Sequence, residues 1–214
     1  VSERRRGGFL WSGIFDKVGS SEVIKILMKI DSSITREEAF LNIAPDCPRE
    51  IITAQELIEV EYFGLDGELH RGQLVLDRRL VNNVREVFAL AKEIKFSLER
   101  VVPASNLEFF RNGKWDDEIL MDKNITSAFN YRTIAGLKKL SHHARGWAID
   151  INPRLNPYVH NGIIEPEGAT YDPSRPGTLS AKHSVVLKFK ELGWTWGGDW
   201  TSIKDYQHFE KIPE

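Results

Sequence analysis

An α+β fold is the architecture predicted by this 214-residue sequence, and three observations carry it. Residues 57–63 alternate, with Ile58, Val60 and Tyr62 on one side and Glu59 and Glu61 on the other, as a strand with one wet face does. Two later stretches, ending near 93 and 192, space their apolar residues as helices do. Trp147 to Asn152 alternates again. A hydrophobic share of 41% with 28% charged residues is ordinary globular balance. The expected organisation is a helical N-terminal extension over 1–55 followed by a main domain over 56–214.

Taken in order, residues 21–30 place Val23, Ile24, Ile26, Leu27 and Ile30 at near-helical spacing behind Ser20 and Ser21, which predicts a helix. Thr35-Arg36-Glu37-Glu38 fits a capping box, so a short helix should follow. Ala44 to Arg49 reads as a connection. After the alternating strand, Asp66-Gly67 signals a turn, and Leu74-Val75-Leu76 a returning strand. Val81, Val84, Val87, Phe88 and Ala91 then form an apolar helical stripe suited to lie on the sheet.

Leu98 to Val102 reads as a strand ending at Pro103, Trp115 to Met121 as a short acidic helix or loop, and Ser127 to Arg132 as extended chain. In Trp147 to Asn152 the apolar Trp147, Ile149 and Ile151 share one face, which aims Asp150 and Asn152 away from the core. Residues 152–177, rich in Pro, Asn and Gly, predict a long surface loop serving as a rim or lid. Ser180 to Leu192 returns to helical spacing, with Gly193 placed for a left-handed cap.

Composition narrows the chemistry. A net charge of −2 gives no electrostatic reason to expect nucleic acid, and Arg4-Arg5-Arg6 reads as a solvated run. Cys47 is the only cysteine, so neither an internal disulfide nor a cysteine zinc cluster can form. No apolar run approaches the roughly 20 residues that cross a bilayer, and Val1-Ser2-Glu3-Arg4 is not the apolar core of a signal peptide. Export would rest on residues outside this chain.

Two segments carry the candidate chemistry: Ser141 to Asp150, S-H-H-A-R-G-W-A-I-D, and Asp205 to Glu210, D-Y-Q-H-F-E. A catalytic zinc commonly takes three protein ligands from His and Asp/Glu and keeps a position open, and His143, Asp150 and His208 supply such a set. Asp205, three residues before His208, is left over for proton transfer. A Ser141-His143-Asp150 hydrolase triad is disfavoured because no G-x-S-x-G elbow is present. His70, His142, His160 and His183 read as ordinary polar residues, His142 because neighbours on a strand face opposite ways. Gly146 and Ala148 read as small residues that let backbone and substrate approach the metal, and Gly197-Gly198 as a turn or substrate wall. At least one of Trp194, Trp196 and Trp200 should be buried.

The pattern S-x-H-x-x-G-x-A-x-D, matched by Ser141, His143, Gly146, Ala148 and Asp150, resembles the LAS-type, VanY-like zinc peptidases of bacterial cell walls. That group includes D-alanyl-D-alanine carboxypeptidases, vancomycin-resistance dipeptidases and L-alanyl-D-glutamate endopeptidases. The likeness continues through Thr126 to Arg132 upstream and Trp196 to Trp200 downstream. It implies a hedgehog/D,D-peptidase-like fold, in which a small antiparallel sheet carries the ligands and helices pack on its other face. It also implies zinc as cofactor, peptidoglycan stem peptides as substrate, and a protein that is exported to the periplasm or cell wall or is phage-encoded. On this reading Asp205 is the general base and Arg132 a catalytic cation that holds the polarised carbonyl or a substrate carboxylate. Ser141 braces the ligand shell or the substrate. Asp in D-x-x-H-F-E resembles the endopeptidase branch more than the carboxypeptidase branch. The alternatives are a D-alanyl-D-alanine carboxypeptidase and a non-catalytic zinc module that binds wall peptides.

Overall fold

The computed structural model describes residues 28–134 and 136–214. Its organising element is a long antiparallel hairpin, Gln55–Gly64 with Leu69–Asp77, in register from Gln55↔Asp77 to Phe63↔Leu69. Ile58, Val60 and Tyr62 are buried, while Glu59 and Glu61 are exposed, as the alternation predicts. Lys29–Ile30 and Ser97–Leu98 add parallel edge strands, giving a mixed four-stranded sheet. The helix expected over 21–30 thus has a strand at its end, because Lys29 and Ile30 pair with His70 and Arg71; residues 21–27 lie outside the described residues.

The capping box forms as drawn, with Glu38 N donating to Thr35 Oγ1 at 3.2 Å and Thr35 N to Glu38 Oε2 at 2.7 Å, and it opens only a 3-10 turn, Glu38–Phe40. A helix at Arg49–Ala54 replaces the expected end of the connection. Pro48 just before it and Glu50 in its first turn were the available signals. The expected boundary at 55/56 falls at the start of the long hairpin. The described residues ahead of it share apolar packing with later ones, since Ala39, Cys47 and Ile51 join Val75, Val102, Phe109 and Phe129.

Helix Val81–Glu93 lies on the other side of the hairpin, with Val84, Val87, Phe88 and Ala91 buried beside helix Ser184–Glu191. Phe189 stacks on Phe209 at 4.1 Å between ring centroids, which joins the second helix to the strand that carries His208. Burying each such side chain is worth about 1.5–3 kcal/mol. The second helix starts at Ser184 rather than Ser180, because the His183 side chain accepts from Val185 N and caps it there. Its far end closes as predicted: Gly193 has φ +81°, and Trp194 N donates back to Phe189 O.

The expected strand over 98–102 is split into Ser97–Leu98 and Arg100–Val101, and the acidic segment folds as a helix over Asp117–Asp122. The long loop at 152–177 is more ordered than its composition suggests. It contains a hairpin, Tyr158–His160 with Ile163–Glu165, and the first of these strands pairs with Lys204–Asp205. Its root is held by two buried asparagines. Asn152 Nδ2 donates to Ser97 O and Gly177 O, and Asn156 Oδ1 accepts from Leu179 N at 2.7 Å. Among the described residues no helix is long and apolar enough to cross a membrane.

Candidate metal centre

A small antiparallel sheet, ordered Thr195–Trp196, His208–Glu210, Ala148–Asp150, carries two of the three predicted ligands. Its register sets His208 opposite Asp150 and Phe209 opposite Ile149. The period of two then separates function from packing: Ile149 and Phe209 enter the core, and Asp150 and His208 point to the other face. On its free side Asp150 exchanges backbone hydrogen bonds with Ser127, at 2.9 and 3.2 Å.

The third ligand comes from a turn. Residues His142–Arg145 form a 3-10 helix, not the strand assumed for His142, capped by Ser141 Oγ accepting from His143 N and closed by Gly146 at φ +68°. The open end of the long hairpin docks this turn: Gln55 Nε2 donates to Arg145 O at 3.0 Å and Asp77 N to Gly146 O at 3.1 Å. A side chain at Gly146 would collide with Gln55 Oε1 and Asp77 N, so the tight approach there is to the hairpin rather than to the metal or substrate.

His143, Asp150 and His208 converge, with one ligand atom of each within 4.8 Å of the others. His143 Nε2 lies 3.1 Å from Asp150 Oδ2, and His208 Nδ1 lies 3.0 Å from Asp150 Oδ1 and 3.2 Å from His143 Nε2. His143 Nδ1 sits 2.6 Å from Ala128 O; a carbonyl only accepts, so Nδ1 carries a hydrogen, and Nε2 is the nitrogen that faces the cluster and would offer its lone pair to a cation. All three residues are buried. Two imidazoles and one carboxylate, converging and shielded from water, fit a divalent zinc-like cation.

The electrostatics agree with a site built around positive charge. Burial alone would raise Asp150, but the charge of His143 and the hydrogen bonds from His143 and His208 hold it well below the usual carboxylate range. For His208, burial is outweighed by Asp150 and Glu210, and its value rises to about 10. Asp205 goes the other way. Burial, aided by the Asp150 charge and opposed by His208, pushes its carboxyl up to about 6. Its Oδ1 is shut off from solvent and has no hydrogen-bond partner.

Asp205 is set by its surroundings more than by its own turn. It pairs with Tyr158, and the next residue, Tyr206, stacks on Tyr171 at 3.7 Å while its carbonyl accepts from Trp196 Nε1. Gly197 packs so closely that a Cβ would lie 2.4 Å from Asp205 O and 2.8 Å from its Cβ. Arg132 leads into the turn, its carbonyl accepting from Ser141 N, and its guanidinium pairs with Asp117 Oδ2 at 2.7 Å while Nε stays unpartnered. Trp194 and Trp196 are core residues, and Trp200 lies 5.5 Å from the His208 ring. Sequence reasoning assigned no role to Glu210 or His142, yet Glu210 Oε2 is 3.0 Å from His208 Nε2 and 2.7 Å from His142 Nδ1. The available signal was the spacing of two between His208 and Glu210, which puts both on one face of a strand.

A family model described as D-alanyl-D-alanine carboxypeptidase matches residues 135–211. The peptidoglycan L-alanyl-D-glutamate endopeptidase CwlK of Bacillus subtilis (strain 168) is 34% identical over 110 residues, 50% of this chain and 59% of that protein. The match therefore spans less than two thirds of that relative's length. No solved structure matches the chain. The matched segment holds His143, Asp150 and His208 together, and over it the chain is similar to the LAS-type, VanY-like zinc peptidases.

Proposed function

We propose that the chain is a zinc-dependent peptidase acting on peptidoglycan stem peptides, with L-alanyl-D-glutamate endopeptidase specificity. The observation that carries this reading is the buried His143, Asp150, His208 cluster accompanied by an unpartnered, solvent-shielded oxygen on Asp205. His143, Asp150 and His208 would hold a zinc ion, which would supply the Lewis acidity that polarises a scissile carbonyl and acidifies water. The rest of the chemistry belongs to the chain. Asp205 takes a proton from the attacking water as the new C–O bond forms, and returns it to the amine nitrogen as the C–N bond breaks. Burial raises its affinity for a proton above that of an ordinary carboxylate, which suits a group that must both accept and release one. Arg132, steered by Asp117, holds the developing oxyanion or a substrate carboxylate. Ser141 serves the substrate through its hydroxyl while Oγ steadies the His143 turn.

The endopeptidase reading is supported by the name of the CwlK relative and by Asp, rather than Glu, at position 205. The description of the matching family model favours a second reading, D-alanyl-D-alanine carboxypeptidase. A hedgehog/D,D-peptidase-like likeness of the fold, a domain boundary near residue 55 and action at the cell wall belong to the same proposal. Digestion of purified muropeptides by zinc-loaded protein, with new termini identified by mass spectrometry, tests it. New L-alanine carboxyl and D-glutamate amino termini support the endopeptidase. Release of one terminal D-alanine supports the carboxypeptidase, and no cleavage at all turns the reading toward a zinc-containing binding module.

A further inference from the structure

Glu210 is used by neither the ligand set nor the proposed acid-base chemistry, yet it is built into the centre. It lies two residues after His208 on the same strand face, and a single oxygen, Oε2, meets His208 Nε2 at 3.0 Å and His142 Nδ1 at 2.7 Å. His142 reaches it because residues 142–145 are a 3-10 turn that places His142 beside this carboxylate while His143 faces Asp150. The His142 ring is backed by Trp147, with centroids 6.1 Å apart, and Trp147 is itself fixed by a hydrogen bond from Nε1 to Asp77 Oδ2 at 3.1 Å. Glu210 is thus supported from the hairpin side of the molecule and not only by its own strand.

Resting on the zinc-site reading, we infer that Glu210, braced by His142, is the positioning residue of the metal centre: it accepts the Nε2–H of His208 and so commits Nδ1 to the cation. The physical reason is tautomeric. A ligating imidazole is neutral, with one N–H and one lone pair, and both carboxylates beside His208 can only accept; a cation that displaces the Nδ1 proton shared with Asp150 leaves Nε2–H on Glu210 and the lone pair on Nδ1, the nitrogen that faces Asp150 and His143. A carboxylate behind a ligating histidine also fixes the ring plane and raises its basicity. The centre then uses its two histidines through different nitrogens. His143 has Nδ1–H on the Ala128 carbonyl and offers Nε2, whereas His208 has Nε2–H on Glu210 and offers Nδ1.

The test is zinc affinity by chelator competition on the full chain for wild type, Glu210→Ala, Glu210→Gln and His142→Ala, together with ring 15N shifts of His208 in zinc-loaded wild type. Glu210→Ala should weaken zinc binding about tenfold to a hundredfold. Glu210→Gln should recover most of that loss, because its amide oxygen still accepts Nε2–H, and His142→Ala should fall between Gln and Ala. The shifts should report a protonated Nε2 and a metal-bound Nδ1. Unchanged zinc affinity in Glu210→Ala, or metal on Nε2, overturns the inference. Because the shifts need no variant, they decide the matter even where Glu210→Ala does not fold. Wild type that binds no zinc overturns the site reading as well, whereas tight wild-type binding with an indifferent Glu210 overturns this inference alone.

Discussion

Asp150 and His208 are direct cross-strand partners in an antiparallel ladder, and their side chains meet at 3.0 Å on the face away from the core. Two ligands are therefore positioned by backbone register, with Ile149 and Phe209 locking the same ladder from behind. A slip by one residue would turn both ligands into the core. Zinc binding should accordingly approach one ion per chain, and His143→Ala or His208→Ala should abolish that occupancy by metal analysis. Stripping the metal with a chelator should lower the melting temperature, since free zinc at about a thousandfold its Kd contributes about 4 kcal/mol to stability. Wild-type protein purified without zinc, and unable to take it up, would refute the site.

Asp205→Asn separates catalysis from structure. The amide keeps the size of the carboxyl but cannot accept the proton, so turnover should fall roughly a hundredfold to ten-thousandfold while zinc content and the melting temperature of the zinc-loaded protein stay near wild type. Full activity in this variant removes Asp205 from the mechanism.

The same residue sets a pH dependence. Asp205 must be ionised to act as base, so kcat/KM should rise with pH through its pKa. A cation in the triad pulls that value downward, which places the rising limb at or below about 6. For stability the sign is opposite to that of an ordinary salt-bridged carboxylate. With its folded value raised, the native state holds its proton more tightly than the unfolded chain, and metal-free protein should lose stability as pH rises through about 6. Titration of metal-free Asp205→Asn should lack that loss; an identical profile in both proteins would contradict the burial argument.

Arg132 should matter for turnover more than for folding. Its pairing with Asp117 is partly exposed, so breaking it should cost about 0–1 kcal/mol of stability. Arg132→Lys should already depress activity on a wall peptide, because an ammonium lacks the planar two-pronged donor. Equal activity in wild type and Arg132→Ala would remove the role.

Gly197→Ala probes the support of Asp205 without touching a titratable group. Its Cβ would sit 2.4 Å from the Asp205 carbonyl, so the strand must move. The expected result is a stability loss of about 1–3 kcal/mol, with activity falling further than zinc occupancy. A variant as active as wild type would show that the strand yields without displacing the carboxylate.

The sequence by itself determined the α+β class, the long hairpin, both long helices and the three residues, His143, Asp150 and His208, that converge. The elements rest on local periodicity, such as Val84, Val87, Phe88 and Ala91 on one helix face, and the three residues on ligand types in two separate motifs and their resemblance to a known pattern. Only the tertiary structure decided what depends on contacts distant in the chain. The Tyr158–Glu165 hairpin was hidden because its strands are three residues long and the second is exposed on both sides, which leaves no alternation to read. His142 was misplaced because Gly146 at φ +68° and the docking of the turn on Gln55 and Asp77, both far off in sequence, make it a 3-10 turn rather than a strand. The choice of nitrogen on His143 rests on the carbonyl of Ala128, a backbone atom that every residue carries and no residue type announces.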